Sequence, residues 1–267
     1  MIEIVLSSQD PRLDPFRLGE RQLTTIADRR STLAAGKFIA EGDLVVSRAL
    51  QAGYKPQVVL CDESHASRFV GEIETAGGSC LTADIEIRRE ATGLGVPLSA
   101  IGVFYRSTPL SENDVLANAS RVIVVEAVDN PSNIGAIVRC AAGLGWDGLI
   151  CDTTSADPLS RRGLRVSMGT AFNLRFARSN NITETLQTLR NRGFAILALT
   201  PGKQAVDLSQ IKLEQTKPRA LVFGSERAGL SDEALKNADF QVRIEIDKSI
   251  DSLNVAAAAA IACYALR

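Results

Sequence analysis

From Arg121 to the end of the chain, short runs of Val, Ile, Leu and Phe alternate with helix-patterned stretches in a rhythm that few folds accommodate. The strand-like runs are "RVIVVEAV", "DGLIC", "FNLRFA", "FAILALT", "RALVFG" and "FQVRIEI". Between them lie "SNIGAIVRCAAGLG", "PLSRRGLRVSM", "ITETLQTLRNRG" and "SDEALKNA", and an alanine-rich helix closes the chain. Strand and helix alternating this regularly predict an α/β fold, with a mostly parallel sheet and helices on both faces. Ligands on such sheets bind beyond the carboxyl ends of the strands. The segments "LTPG", "FGSERAG" and "IEIDKSIDSLN" are therefore where a cofactor is expected.

A second, smaller α/β rhythm precedes it. From Lys37 to about Arg106, "KFIAEG", "PQVVLC", "SCLTA" and "AIGVFYR" alternate with helical stretches such as "LVVSRALQAG" and "SRFVGEIETAGG". Before these, "DPFRLGERQLTTIADRRSTLA" reads as a charged, helix-compatible N-terminal arm, and "STPLSENDVLANAS" as a linker. The expected domains are residues 1–110, arm included, and residues 118–267.

Much chemistry is excluded by what is missing. The chain has 267 residues, a formal net charge of −1 and 45% hydrophobic residues, the profile of a globular protein without a global basic field. Its single histidine, His65, lies in loop-like "CDESHASRF" with no nucleophile motif, and reads as an ordinary surface residue. The five cysteines are scattered without a Cys-x-x-Cys, which argues against zinc, any other His-ligated metal and a disulfide framework. No secretory signal is legible, and the apolar stretch Val255–Leu266 falls short of the ~20 residues a membrane span needs. A cytoplasmic protein is the expectation. Neither the dinucleotide-binding glycine fingerprint nor a P-loop occurs.

Three turns between strand and helix carry the polar residues. In "DNPSNIGAIVRCAAGLG", Asn130 can cap a helix with Pro131 at its first position, and Ile134, Ile137, Val138 and Ala141 form the core face. Arg139 then points elsewhere, one turn from Gly135 and Ala142, where a partner backbone could approach closely; its bland alternative is a solvated arginine. Asn133 could be only a first-turn residue. In "ALVFGSERAGLSDEAL", Gly224 permits close backbone approach, Glu226 follows in the loop, and Ser231 caps the next helix. In "IDSLNV", Asp251 or Ser252 can serve as the N-cap without any ligand. A local basic signal runs from Leu159 to Thr183, with Arg161, Arg162, Arg165, Arg175 and Arg178 and no acid. Such a stripe suits phosphate contacts, with a solvated helix face as the alternative.

Taken in order and spacing, "NPSNIGAIVRCAAGLG", "LVFGSERAGL" and "IEIDKSIDSLNVAAAAAIACYAL" resemble the three motifs of the SpoU/TrmH family of RNA ribose 2′-O-methyltransferases, within the SPOUT superfamily. The likeness covers Arg121 to the C-terminus. The stretch "FIAEGDLVVSRALQAGYKPQVVL" is similar, less specifically, to the ribosomal-protein-like domain that holds RNA in many members.

The resemblance implies a deep trefoil knot in the C-terminal half, S-adenosylmethionine as cofactor, no metal, and a homodimer. It implies Asn133, Arg139, Glu226, Ser252 and Asn254 as catalytic positions and Leu199, Thr200, Gly224, Ile244, Ile246 and Leu253 as cofactor contacts. The RNA phosphate contacts are expected from Arg161, Arg162 and Arg165. Motif three departs from the family pattern, with Glu245, Ile246 and Lys248 standing where Pro, Met and Gly are usual. Ribosomal RNA is the expected substrate over transfer RNA. The competing readings are a transfer-RNA methyltransferase, a non-catalytic RNA-binding assembly factor, and a small-molecule enzyme with a nucleotide cofactor.

Overall fold

The computed structural model describes residues 1–93, 95–202, 204–247 and 249–267, with Arg30 described by its backbone alone; Lys248 thus lies outside the described residues. The chain divides into two units, Met1–Pro109 with Leu159–Phe172, and Leu110–Pro158 with Asn173–Arg267.

The first unit runs β1 (Ile2–Ile4), α1 (Glu20–Leu23), α2 (Ile26–Arg30), β2 (Lys37–Glu41), α3 (Asp43–Gln51), β3 (Pro56–Cys61), α4 (Glu63–Thr75), β4 (Ser79–Thr82), α5 (Ile85–Thr92) and β5 (Ala100–Tyr105). Its sheet has the order β1-β4-β3-β5-β2, with β5 antiparallel to both neighbours. The N-terminal arm is not one helix. Pro11 and Pro15 cannot donate to a helical ladder, so residues 11–17 form a 3₁₀ turn before two short helices. Leu13 and Phe16 of that turn are fully buried in the unit's core, so the arm is part of the fold. His65 is likewise no loop residue. Asp62 caps α4 by accepting from the His65 amide at 2.9 Å, and the imidazole Nδ1 lies 2.9 Å from the same carboxylate oxygen. The cap, not a ligand, explains the histidine's position.

The second unit holds α6 (Glu112–Leu116), β6 (Arg121–Glu126), α7 (Pro131–Gly143) and β7 (Gly148–Asp152). After α8 (Arg161–Ser167), which packs with the first unit, it continues with β8 (Arg175–Ser179), α9 (Ile182–Asn191), β9 (Ala195–Leu199), β10 (Val206–Asp207), β11 (Arg219–Gly224), α10 (Asp232–Lys236), β12 (Phe240–Arg243) and α11 (Val255–Ala265). All pairings in its seven-stranded sheet, β10-β12-β9-β11-β6-β7-β8, are parallel. The chain leaves β6 toward β7 and β8, then returns to the other side, where β11 inserts between β9 and β6. Such a reversal of strand order is where open α/β sheets bind ligands.

The expected linker contains α6, because Ser111 and Asp114 form a reciprocal capping box and Val115 and Leu116 bury into this unit's core. The strand expected in "FQVRIEI" stops at Arg243, and β10 is an unexpected two-residue edge strand.

Helix α8 carries part of the basic stripe. Ser160 caps it, and Arg161 Nε donates to Glu41 Oε1 at 2.8 Å, while Arg165 Nη1 stands 3.3 Å from Glu41 Oε2. The Glu41 side chain is only 2% exposed, so it anchors the stripe as a buried counter-charge. Arg162 is exposed. In the other unit, Arg175 donates to the Asp114 carbonyl, and Arg178 to the carbonyls of Asp152, Ser155 and Ala156. Among the described residues no helix is long and apolar enough to cross a membrane, and no cluster of His, Cys, Asp or Glu could hold a metal ion.

Candidate active site

At the carboxyl ends of β9, β11 and β12 the second unit encloses a cavity of about 460 Å³, within the usual range for small-molecule sites. Leu199, Thr200, Gly224, Ile244, Ile246 and Leu253 all line it, as do Glu226 and Ser252. One wall is the turn Ser225–Leu230, folded back on the end of β11. It is held at its start by the Gly229 amide donating to the Ser225 carbonyl at 3.0 Å. At its far end Glu126, the last residue of β6, accepts from both the amide and the hydroxyl of Ser231, each at 2.8 Å. Ser231 also caps α10, accepting from the Ala234 amide. The turn passes so close to β11 that a Cβ on Gly224 would fall 2.2 Å from the Gly229 carbonyl carbon. Glycine is required there by contact, since backbone cannot give way as a flexible side chain can.

The three polar turns meet through one buried side chain. Asn133, only 7% exposed at the start of α7, donates from Nδ2 to Glu226 Oε1, and its Oδ1 accepts from Asn254 Nδ2 at 3.1 Å. Asn130 caps α7, accepting from the Ser132 amide at 2.9 Å, with Pro131 at the first helical position. Asn254, rather than Asp251 or Ser252, caps α11. Its Oδ1 accepts from the amides of Ala256 and Ala257, leaving its Nδ2 for Asn133. Asp251 and Ser252 instead line the cavity.

The approach to α7 is also fixed. Ala127, with φ 55°, occupies the left-handed region, and its amide donates to Asp152 Oδ1 at 3.1 Å. Burial works against the Asp152 charge, but hydrogen bonds from Ser155, Thr154 and the Ala127 amide outweigh it and hold the carboxyl below its ordinary value.

Arg139 is not brought to this cavity. It is exposed on α7, away from the core face, and does not line the pocket of its own chain. Sequence reasoning missed Arg243, which is among the residues lining the cavity, stands beside its register partner Asp207, and has a buried Nε with no partner among the described residues. Its signal was its place, the last residue of a strand that ends at the site. The cysteines on α7 and α11 offer no thiolate, because burial raises the pKa of Cys140 and pushes that of Cys263 up to about 12.

Replacing Asn133 by alanine leaves both Glu226 and Asn254 without their shared partner. The expected cost is about 1–3 kcal/mol of stability, read as a lower urea midpoint with an unchanged slope. An unshifted midpoint would show that other contacts hold the turns together.

Residues 120–264 match the SpoU rRNA Methylase family. An uncharacterized tRNA/rRNA methyltransferase of Mycobacterium tuberculosis is 36% identical over 98% of this chain and 91% of its own length. The 23S rRNA (guanosine(2553)-2′-O)-methyltransferase RlmP of Bacillus subtilis is 27% identical over 92% of this chain and 94% of its own. Among solved structures, an AdoMet-bound rRNA methyltransferase from Sinorhizobium meliloti superposes with a TM-score of 0.84 at 25% identity, covering 100% of this chain and 97% of that one. With more than half of its length matched by the family and a relative of this identity along nearly all of it, the chain belongs to the SpoU rRNA methylase family.

Proposed function

We propose that this protein is an S-adenosylmethionine-dependent ribose 2′-O-methyltransferase acting on ribosomal RNA in the cytoplasm. The observation that carries the reading is the convergence of three chain-distant turns, through Asn133, on the rim of the cavity at the sheet's carboxyl edge. The residues present fit the cofactor. Apolar Leu199, Ile244, Ile246 and Leu253 offer a surface for a base, and Gly224 and its opposed turn bring backbone to the cavity wall. S-adenosylmethionine supplies an electrophilic methyl group on a sulfonium.

The protein's own task is to hold the ribose 2′-oxygen in line and make it more anionic. A guanidinium remains charged at neutral pH, so Arg139 acts as a hydrogen-bond donor to the developing alkoxide or the adjoining phosphate, the proton leaving to phosphate or water. Asn133 and Glu226 orient the acceptor side, and Ser252 and Asn254 order the loop around the cofactor. Because Arg139 stands outside the cavity of its own chain, the reading is of a homodimer in which each Arg139 serves the partner's cavity. The exposed apolar side chains of Ile261 and Tyr264 on α11, which packs against α7, suit a subunit contact. The reading includes the trefoil knot characteristic of the superfamily. The first unit holds the RNA, with exposed Arg162 and Arg165 toward phosphates and Arg161 fixed by Glu41.

The test has two parts. Incubation of the protein with bulk ribosomal RNA and isotopically labelled S-adenosylmethionine yields a labelled 2′-O-methylnucleoside on digestion; no label in RNA would sink the activity. At a cofactor concentration too low to fill the weakened site of Gly224→Ala, mixed dimers of Arg139→Ala with Gly224→Ala chains then regain activity that neither homodimer shows, because one intact cavity faces one intact arginine. Mixed dimers as inactive as their parents would place Arg139 in its own chain's site or outside the chemistry.

A further inference from the structure

A second cavity lies at the opposite edge of the seven-stranded sheet, where β6 and β11 begin. β11 runs from Arg219 at this edge to Gly224 at the cofactor cavity, five rises or about 16 Å away. The cavity measures about 100 Å³. That is room for about three waters at ~30 Å³ each, the size of a small tetrahedral anion rather than a nucleotide. Its seven lining residues include Arg121, Lys217, Arg219 and Arg267 and no acidic side chain, in a chain whose 30 Lys and Arg are balanced by 31 Asp and Glu.

Arg219 is the unusual member. It is only 6% exposed, and its guanidinium is clamped by main-chain carbonyls: Nε to Lys217 at 3.1 Å, Nη1 to Leu266 at 3.3 Å, and Nη2 to Glu214 and Gln215 at 2.9 Å each. Carbonyls satisfy its donors without neutralising its charge. Arg121 stands beside it, the two being register partners on adjacent parallel strands. Among the described residues no carboxylate comes within salt-bridge distance of either guanidinium, and that of Arg121 has no hydrogen-bond partner. The nearby Asp147 carboxylate accepts, through Oδ2, from the Ser120 amide and hydroxyl and from the Arg121 amide rather than from either guanidinium. Burial first, and the like charge of Arg121 second, lower the pKa of Arg219. A buried cation with a second cation at its side is costly unless an anion joins them.

We infer that this cavity is an oxyanion site taking one phosphate group, with Arg219 as its fixed floor and Arg121, Lys217 and Arg267 closing on the anion. The inference is independent of the methyltransfer reading, since it involves none of the residues at the carboxyl edge. A phosphodiester of bound RNA and free inorganic phosphate present the same chemistry.

The test uses the full chain without cofactor. The chain's single tryptophan, Trp146, follows Gly145, which lies against the Arg121 guanidinium, so its fluorescence reports on the cavity. Sodium phosphate is expected to change that fluorescence saturably and to raise Tm, beyond sodium chloride at equal ionic strength. Arg121→Gln and, separately, the exposed Lys217→Gln should each weaken the response about tenfold or more, as loss of a charge-assisted hydrogen bond does. Equal responses to phosphate and chloride, or unchanged phosphate binding in both variants, overturn the site. The source is read from filter binding of ribosomal RNA. If the variants lower the slope of log affinity against log salt by about one, the anion is an RNA phosphate. If RNA binding is unchanged while phosphate binding is lost, it is a free one.

Discussion

Arg139→Lys lowers kcat by about 100- to 1,000-fold, the usual cost of removing one donor aimed at a developing oxyanion, and leaves affinity for S-adenosylmethionine within about twofold. The substitution keeps the charge and loses the planar fork, so it separates alignment from simple electrostatics. The cofactor affinity is expected to hold because the proposed contact of Arg139 is with the ribose oxygen or the adjoining phosphate, not with the cofactor. Stability holds as well, because the side chain is exposed, and exposed substitutions usually stay within about 0.5 kcal/mol. Single-turnover kinetics with saturating RNA, together with calorimetry of cofactor binding, check the two halves. Near-normal turnover would remove Arg139 from the chemistry. A large loss of cofactor affinity would instead assign it to binding.

Gly224→Ala is expected to weaken cofactor binding by about 10- to 100-fold, the equivalent of an overpacking strain of about 1–3 kcal/mol. The added methyl would lie 2.2 Å from the Gly229 carbonyl carbon, 2.3 Å from its oxygen and 2.4 Å from the Leu230 nitrogen. All three are backbone atoms of a turn tied at one end to Ser225 and, through Ser231, at the other to Glu126. The turn must therefore move as a body, and the cavity wall moves with it. Calorimetry of S-adenosylmethionine binding reads the effect, and Tm measured without cofactor shows how much of the strain falls on folding. Unaltered affinity would mean that the turn yields freely and that the cofactor does not depend on this wall.

The parts of the fold legible in the sequence share a physical cause. Strands β6, β7, β9 and β11 are buried on both faces, so their runs of Val, Ile, Leu and Phe stand out whatever surrounds them. The two-residue β10 has too few side chains to leave a pattern, and β12 ends at Arg243 because the following residues turn to line the cavity. Helix α6 was hidden by a polar surface, although its Ser111 and Asp114 cap was present in the letters. Packing across sequence was the least legible. Nothing in "PLSRRGLRVSM" reveals that α8 joins the first unit, because the deciding partner, Glu41, lies 120 residues away. The same limit applies at the site. Each turn could be read alone as a cap or a loop, but Asn133 reaches Glu226 across 93 residues and Asn254 across 121.

The double use of Asn254 bears on how such a protein ages. Hydrolysis of its side-chain amide to a carboxylate keeps an oxygen for the first amides of α11, and a negative charge suits a helix start. The same change removes the only group that Asn254 offers to Asn133 and sets an anion against a carbonyl oxygen. With the role proposed for Asn254, a stored sample would retain its full helical circular dichroism and its elution volume while its turnover decays, and spectroscopic integrity would then be a poor certificate of activity.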